Sequence, residues 1–205
     1  MTAEEAAPER MFHIDKLLPM GFFVKLAHEA KEYEVLATQS SIVMENGVQD
    51  ERKDQRSSRS LALSLNSRVD IQVCARLRDM MRLLGTELEI PPAFVFYHGI
   101  DESFGLHHDA ASIIDDVLVM EDDARSWRPW TLFVYLTTNT NGGCTVLPAL
   151  NISVSPKENT AILFRNGKSN GELDMDMCHL AEPVLDESIK VGLNVFANSP
   201  LVNSS

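Results

Sequence analysis

Residues 131–147 read TLFVYLTTNTNGGCTVL, and this stretch indicates which kind of fold the chain adopts. It begins with β-branched and aromatic residues at 131–137, a composition that is typical of a β-strand. Asn141-Gly142-Gly143 is a hairpin signal, because tight hairpin turns need residues that accept positive φ angles. With a further short strand at 144–147, the stretch predicts two antiparallel strands joined by a turn.

Other short apolar or aromatic runs occur in the second half of the chain, at 93–97, 160–164 and 189–196. No helical pattern separates them, which favours an antiparallel sandwich or barrel. The first half differs, because apolar residues recur there at helical intervals over 21–33 and 71–84. The sequence therefore predicts a mainly β protein with N-terminal helices (α+β), with the change near residue 92.

A polar stretch lies between the two predicted helices. Residues 45–60 read ENGVQDERKDQRSSRS and show no apolar period, which predicts a long mobile loop. Loops of this length in compact domains are often lids over a site. A solvated connection without a role is the alternative interpretation.

Length and composition limit the classes of function. The 205 residues fit one compact domain, and 18 basic against 30 acidic residues give a net charge of -12. Such a surface repels phosphate and anionic lipid, so neither a nucleic acid nor a membrane is expected as a partner. Three widely spaced cysteines suggest reduced thiols, and no secretion signal or membrane-spanning pattern is present. Together these features favour a cytoplasmic protein.

Two histidines stand in a pattern that suits a metal site. In an extended segment, residues i and i+2 project from one face, so His107 and Asp109 converge while His108 points away. A third ligand from a distant strand, His179, would complete a set of two histidines and one carboxylate. Such a set suits non-haem Fe(II) and leaves three coordination positions open. His-x-Asp alone is a weak motif, because histidines are also common as hydrogen-bonded core residues.

The last predicted strand contains a lysine in an unusual place. Lys190 and Asn194 share one face of 189–196, and the apolar side chains of the strand share the other. A lysine inside a barrel costs several kcal/mol unless it meets an anion, so Lys190 is a candidate anion-binding residue. The alternative is that Lys190 lies at the start of the strand and reaches water.

Taken in order, these motifs resemble the prolyl 4-hydroxylase type of Fe(II)- and 2-oxoglutarate-dependent dioxygenase, from about residue 22 to residue 196. Tyr97 resembles the tyrosine that precedes the His-x-Asp motif of that family. RPWTLFVYL at 128–136 is similar to its Arg-x-x-Thr-x-x-x-Tyr-Leu strand, and GGCTVLP at 142–148 to its Gly-Gly-x-Thr-x-Phe-Pro hairpin. HLAEPV at 179–184 is similar to His-x-x-x-Pro-Val. Residues 156–165 resemble a further strand of the family, with Asn159 where glycine is usual.

The resemblance implies a fold and a reaction class. The fold would be a double-stranded β-helix, a cupin-like jelly-roll of two antiparallel sheets, in one domain over 1–205. Residues 1–91 would form a helical brace with the mobile loop, and residues 92–198 the jelly-roll core. The protein would be an oxidoreductase, a dioxygenase that uses Fe(II), 2-oxoglutarate and O₂, with ascorbate as reductant, to hydroxylate an unactivated C–H bond.

The resemblance also implies roles for individual residues. The iron ligands, which are also the catalytic residues, would be His107, Asp109 and His179. The 2-oxoglutarate-binding residues would be Lys190, helped by the hydroxyl of Tyr97 or Thr131. The candidate substrate-binding residues are Arg128 and Arg56, the latter because Arg56-Ser57-Ser58 is similar to an Arg-Thr-Ser stretch in the substrate loop of the family. For Arg128, an ion pair with the acidic segment 112–127 is an equal alternative.

The substrate is predicted less closely. A prolyl residue in a peptide or protein is favoured, a free amino acid or other small metabolite is the alternative within the family, and a non-catalytic jelly-roll binding module is the alternative of another class. Ala110-Ala111 and Val191 replace aromatic residues of the family pattern, which suggests a reshaped pocket. The segment 112–127 is either a solvated acidic insertion or a cap that recognises a cationic substrate. The sequence makes no prediction of oligomeric state.

Overall fold

A computed structural model describes residues 10–40, 42–43, 49–50, 56–63, 68–88, 91–114, 117–119, 126–168 and 172–200. Two α-helices lie in the first half of the described chain, α1 (Met20–Tyr33) and α2 (Arg68–Leu83). The strands of the first half are β1 (Met11–Asp15), β2 (Thr38–Gln39), β3 (Ile42–Val43), β4 (Gln49–Asp50), β5 (Arg59–Ala62), β6 (Glu87–Leu88) and β7 (Ala93–His98). Those of the second half are β8 (Phe104–His107), β9 (Ser112–Ile114), β10 (Val117–Val119), β11 (Ser126–Trp127), β12 (Trp130–Tyr135), β13 (Thr145–Leu147), β14 (Ile152–Val154), β15 (Thr160–Arg165), β16 (His179–Ala181) and β17 (Ile189–Pro200).

Most strands belong to two antiparallel sheets. The larger sheet has the order β1-β15-β12-β17-β7-β5-β2, and β6 and β11 also pair with the long strand β17. The smaller sheet has the order β14-β13-β16-β8. This arrangement confirms the predicted mainly β fold with N-terminal helices. Neither described helix is long and apolar enough to span a membrane.

The helices cover one face of the larger sheet. In α1 the buried residues Phe23, Leu26 and Ala30 follow the helical period, and α2 buries its own apolar stripe in the same way. They pack in one core cluster with side chains that alternate along the strands, such as Leu132 and Val134 of β12. Because successive strand residues point to opposite faces, Thr131, Phe133 and Tyr135 face the smaller sheet.

The structure corrects the predicted hairpin in the stretch 131–147. Its strand and its turn exist, and Gly142 and Gly143 have φ angles of 78° and 74°. However, β12 and β13 do not form a hairpin, because β12 pairs with β15 and β17 whereas β13 pairs with β14 and β16. The turn instead carries the chain from one sheet to the other. Its backbone bonds to the segment after β16, with Gly143 N–H donating to Pro183 O at 2.8 Å.

Several described strands lie where the sequence predicted none, and β1 and β5 are two of them that join the larger sheet. Met11–Asp15 pairs with β15 about one hundred and fifty residues further along the chain, and it forms an edge of the larger sheet. Arg59–Ala62 pairs with β7, so the end of the polar stretch 45–60 belongs to the larger sheet and not to a loop. Both strands are short, and their pairing partners are distant in sequence. Residues 45–48 and 51–55 of that stretch lie outside the described residues.

The turn at Gly142 provides a test of the fold. A Cβ atom at residue 142 would lie 2.5 Å from Pro183 O, in addition to the unfavourable positive φ. Gly142→Ala is expected to lower the free energy of unfolding by at least about 1–2 kcal/mol, as measured by urea denaturation. Gly21→Ala in α1 is the matched control, because a Cβ there has no heavy atom within 4 Å, and it should leave stability unchanged or raise it. Equal stability of Gly142→Ala and the parent would contradict this description of the turn.

Candidate active site

Three side chains meet between the two sheets with their ligand atoms within 4.8 Å of one another: His107, Asp109 and His179. His107 Nε2 lies 3.6 Å from Asp109 Oδ1, and His179 Nε2 lies 3.6 Å from Asp109 Oδ2. The pairing of β8 with β16 places His107 directly opposite His179. The structure therefore brings together the three residues that the sequence singled out. His108 lies on the other side of the strand and is buried.

Backbone carbonyl groups orient both histidine rings. His107 Nδ1 is 2.8 Å from Gly105 O, and His179 Nδ1 is 3.0 Å from Met177 O. A carbonyl oxygen only accepts, so each Nδ1 carries the proton and donates it. Each Nε2 then directs its lone pair towards Asp109. This is the arrangement that metal-binding histidines adopt, with the second ring nitrogen held by a backbone acceptor.

The electrostatics of the triad suit a cation. Burial on its own would raise the pKa of Asp109, but His179, His107 and the Thr131 hydroxyl outweigh it and hold that pKa below its usual range. Burial, assisted by the neighbouring His107, lowers the pKa of His179 to about 4. At neutral pH the site thus offers a carboxylate and a neutral imidazole. Two imidazoles and one carboxylate on one side of a point fit a non-haem Fe(II) ion with open coordination positions.

Lys190 lies in the same pocket as the triad. Its side chain is completely buried, and its Nζ has no hydrogen-bond partner among the described residues. Nζ lies 4.8 Å from the Tyr97 ring centroid, 5.4 Å from that of Phe133 and 5.9 Å from that of Tyr135. Burial lowers the pKa of Lys190 to about 7. The burial excludes the alternative that Lys190 reaches water, and it leaves a group that an anion would satisfy.

Thr131 does not lie beside Lys190. Its hydroxyl hydrogen-bonds Asp109, and it accepts a bond of 2.9 Å from Asn166 Nδ2. The reason is the strand geometry, because Thr131 and Tyr135 are four residues apart on one face, which is about 13 Å. Thr131 therefore lies at the metal end of β12, whereas Tyr135 lies at the lysine end.

Several pocket residues were not identified from the sequence. Tyr135 donates from its hydroxyl to Thr145 Oγ1 at 2.9 Å, and both side chains lie near the buried lysine end of the pocket. The Phe104 ring stacks on His107 at a centroid distance of 3.5 Å, and Phe164 contacts His179 edge-on at 4.9 Å. The alternation along β12 contained the signal for Tyr135, since it places this residue on the same face as Thr131.

The two candidate substrate-binding arginines both approach Asp109. Arg56 lines the pocket, lies 4.4 Å above the Phe104 ring, and donates from Nε to Ser58 Oγ at 3.1 Å. Arg128 donates from Nη1 to the backbone oxygen of Asp109 at 3.3 Å and lies 4.1 Å above the Phe196 ring. These contacts place one guanidinium group on the smaller-sheet side of the triad and the other at the end of β17.

The structure corrects the expected effect of Val191 on the pocket, and it does not test the proposed cap at 112–127. Val191 points away from the pocket and packs in the core cluster below the helices, so its presence does not widen the pocket. In the segment 112–127, β9 and β10 form a two-stranded hairpin. Its acidic residues at 115–116 and 121–123 lie outside the described residues, and the proposed cap remains a prediction.

The bond from Thr131 to Asp109 provides a further test. Thr131→Val keeps the shape of the side chain but removes the donor that orients the carboxylate, so we expect metal affinity to fall about 10–100-fold. Co(II) titration followed by visible absorption measures this without turnover. Thr138→Val is the control, because Thr138 is exposed and its hydroxyl accepts from Glu158 N. Co(II) affinity within twofold of the parent in Thr131→Val would show that this hydroxyl does not position the ligand.

Solved structures with the same fold include three prolyl hydroxylases. A viral collagen prolyl hydroxylase from Paramecium bursaria Chlorella virus-1, in complex with 2-oxoglutarate, has 18% identity, covers 94% of this chain and 97% of its own, and gives a TM-score of 0.69. A Pseudomonas putida prolyl-4-hydroxylase has 17% identity, 95% coverage of both chains and a TM-score of 0.66. A Trichoplax adhaerens prolyl hydroxylase in complex with a hypoxia inducible factor peptide has 14% identity, coverage of 96% and 87%, and a TM-score of 0.68. These likenesses confirm the double-stranded β-helix.

Sequence comparison identifies the family directly. No curated protein sequence matches the chain significantly. The sequence profile of the 2OG-Fe(II) oxygenase superfamily, however, matches residues 93–198, which is more than half of the chain and contains the triad and Lys190. The protein therefore belongs to the 2OG-Fe(II) oxygenase superfamily and is a dioxygenase of prolyl 4-hydroxylase type in its fold, with Fe(II), 2-oxoglutarate and O₂ as its cofactors.

Proposed function

We propose that this dioxygenase hydroxylates a prolyl residue in a peptide or protein. The observation that carries the hydroxylase assignment is a single pocket that contains both the complete triad and the buried Lys190. Asp109 argues against halogenation, because halogenating relatives replace this carboxylate with a small residue, and it supports hydroxylation or a related oxidation. The family resemblance through 128–136 and 142–148 supports the prolyl substrate.

We assign the binding of 2-oxoglutarate to both ends of the pocket. The Nε2 atoms of His107 and His179 and the carboxylate of Asp109 hold the metal, and the Lys190 ammonium pairs with the remote carboxylate of the 2-oxo acid. Tyr135 and Thr145 present hydroxyl groups near the same end. With the metal bound, the cofactors supply the oxidation: O₂ gives one oxygen atom to succinate and one to the new hydroxyl group, and CO₂ is released. The surrounding aromatic side chains exclude water from this reaction.

The arginines support a peptide substrate on chemical grounds. The amide nitrogen of a prolyl residue has no hydrogen to donate, so a peptide around proline offers mainly carbonyl acceptors. Arg56 and Arg128 offer only donors, and each planar guanidinium group can donate to carbonyl oxygens. Arg56 precedes β5 and Arg128 lies between β11 and β12, so the two groups come from different parts of the chain, which suits carbonyl groups on either side of the reacting ring.

A free amino acid is the second candidate. Arg56 lies within the pocket, and a guanidinium also binds a carboxylate with two parallel hydrogen bonds. A free substrate would present such a carboxylate close to the reacting carbon, whereas an internal peptide residue would not.

The test is product formation under identical conditions with matched substrates. The protein with Fe(II), 2-oxoglutarate and ascorbate is incubated under ¹⁸O₂ with proline-containing peptides, their proline-to-alanine versions, free proline and other free amino acids. We expect succinate together with an ¹⁸O-labelled hydroxyl group on the proline-containing peptides alone. Labelled products from free amino acids only would replace the proposed substrate class, and no product above that of His179→Ala with any substrate would favour a non-catalytic module.

A further inference from the structure

Phe133 lies between the two ends of the pocket. It alternates on the inner face of β12 with Thr131, which bonds Asp109, and with Tyr135, whose ring is near Lys190. The Phe133 ring centroid is 5.4 Å from Lys190 Nζ and 5.1 Å from the Tyr135 ring centroid, in an edge-on contact. A molecule that reaches from the triad to Lys190 must therefore pass this ring.

Gly192 of β17 is matched to that ring. It pairs with Tyr135 across the two strands, and Lys190 precedes it by two residues on the same inner face. A Cβ at residue 192 would collide with Phe133 Cζ and lie 2.7 Å from Cε1. The aromatic ring therefore occupies its present position only because residue 192 has no side chain. Since φ of Gly192 is not in the left-handed region, the close approach and not the backbone conformation requires glycine here.

The pocket that Phe133 lines is narrow. The volume that a water-sized molecule can reach in it is about 30 Å³. A buried water needs about 10–15 Å³, so this space is of the size of about two waters and leaves little spare room beside the lining side chains. The aromatic side chain that separates the two ends therefore controls the room that a 2-oxo acid receives.

We propose that Phe133, which packs against Gly192, limits the length of the 2-oxo acid that the pocket accepts. It thereby selects 2-oxoglutarate against longer homologues. The triad belongs to the smaller sheet and Lys190 to the larger one, so the packing of the two sheets fixes their separation, and an acid with one more methylene must bend sideways, where the ring lies. One methylene that a pocket does not accommodate changes selectivity about 10–200-fold. This inference rests on the proposed role of Lys190 as the carboxylate partner.

The experiment measures binding without turnover. Fe(II)-loaded protein is titrated anaerobically with 2-oxoglutarate or with 2-oxoadipate, and the iron-to-keto-acid charge-transfer absorption gives the two dissociation constants. In Phe133→Leu, affinity for 2-oxoadipate relative to 2-oxoglutarate should rise at least tenfold. Gly192→Ala should weaken the binding of both acids at least tenfold, because its methyl group pushes the ring into the pocket. The double variant Phe133→Leu/Gly192→Ala should recover most of that loss.

Two controls match the substitutions. Phe12→Leu changes a half-exposed phenylalanine of β1, and Gly21→Ala adds a methyl group where nothing lies within 4 Å. Urea unfolding of each metal-free variant reports its stability separately. A selectivity ratio in Phe133→Leu within twofold of the parent would overturn the proposal even if Gly192→Ala does not fold, and so would a loss in Gly192→Ala that the second substitution fails to recover. If the parent binds 2-oxoglutarate but Lys190→Met binds it equally well, the role of Lys190 is wrong and the inference falls with it.

Discussion

Lys190→Met is expected to weaken 2-oxoglutarate binding at least 100-fold while it stabilises the cofactor-free protein. The ammonium group of Lys190 is completely buried and has no hydrogen-bond partner among the described residues. Removing one partner of a buried charge pair costs about 3–5 kcal/mol, which corresponds to at least 100-fold in affinity. Without its anion, the buried ammonium group destabilises the folded protein. Replacing a buried charge with an apolar side chain of similar volume often raises the free energy of unfolding by about 1–4 kcal/mol.

Two measurements check these opposite effects. Anaerobic titration gives the dissociation constant of 2-oxoglutarate, and urea denaturation of the metal-free protein gives the free energy of unfolding. Lys157→Met is the control, because Lys157 is exposed and its ion pair with Asp15 is long, at 3.9 Å. If the dissociation constant of Lys190→Met for 2-oxoglutarate is within threefold of the parent value, Lys190 is not the carboxylate partner. A lower free energy of unfolding than that of the parent would also contradict this role.

The pKa of Lys190 adds a pH dependence. Burial lowers that pKa from 10.5 to about 7 in the folded protein, so between these values the unfolded chain binds more protons than the folded one. The stability of the cofactor-free protein should therefore rise with pH between about 7 and 10.5, and Lys190→Met should lack this contribution. Affinity for 2-oxoglutarate should change in the opposite direction, falling up to about tenfold per pH unit above pH 7, because only the protonated amine pairs with a carboxylate.

Asp109→Asn is expected to reduce metal affinity at least 100-fold and to abolish turnover. The substitution keeps the size of the side chain but removes the negative charge on which both histidine Nε2 atoms converge, at 3.6 Å each. The carboxamide is a weaker ligand for a divalent cation, and its NH₂ group would face one of the two histidines.

Co(II) titration measures the metal affinity, and succinate release measures turnover. Asp79→Asn in α2 is the control, since that carboxylate is exposed and its ion pair with Arg82 is long, at 3.7 Å. The secondary structure of both variants should match the parent by circular dichroism. If Asp109→Asn bound Co(II) within threefold of the parent, the assignment of this carboxylate as a ligand would be wrong.

Much of the site could be predicted because it depends on local strand geometry. The two-residue spacing of His107 and Asp109 already placed both on one face, and the same alternation placed Lys190 opposite the apolar side of β17. His179 could not be found in this way, since its approach depends on the pairing of β16 with β8. Its identification came from the order of motifs along the chain.

The remaining differences arise from pairing across long sequence separations. The turn at Asn141-Gly142-Gly143 has the residues of a hairpin, but the two strands beside it find partners in different sheets. Met11–Asp15 became an edge strand because it pairs with β15. Strand register also explains Thr131. The register between β12 and β17 places this residue beside Asp109 and away from Lys190.

The shape of the pocket depends on the contact between Phe133 and Gly192, which could not be predicted from the sequence. Phe133 and Gly192 are ordinary residues in their own strands, and only the pairing of β12 with β17 places one against the other. Such a match of a large and a small side chain appears once the register is known.

The most direct test of the central claim is one anaerobic spectrum. Adding 2-oxoglutarate to the Fe(II)-loaded protein should produce the iron-to-keto-acid charge-transfer band, because the triad and Lys190 lie in one pocket. The band should be absent in His179→Ala and require at least 100-fold more 2-oxoglutarate in Lys190→Met. No band in the parent protein, or a band of equal strength in His179→Ala, would contradict the claim that these residues form an Fe(II)- and 2-oxoglutarate-binding site.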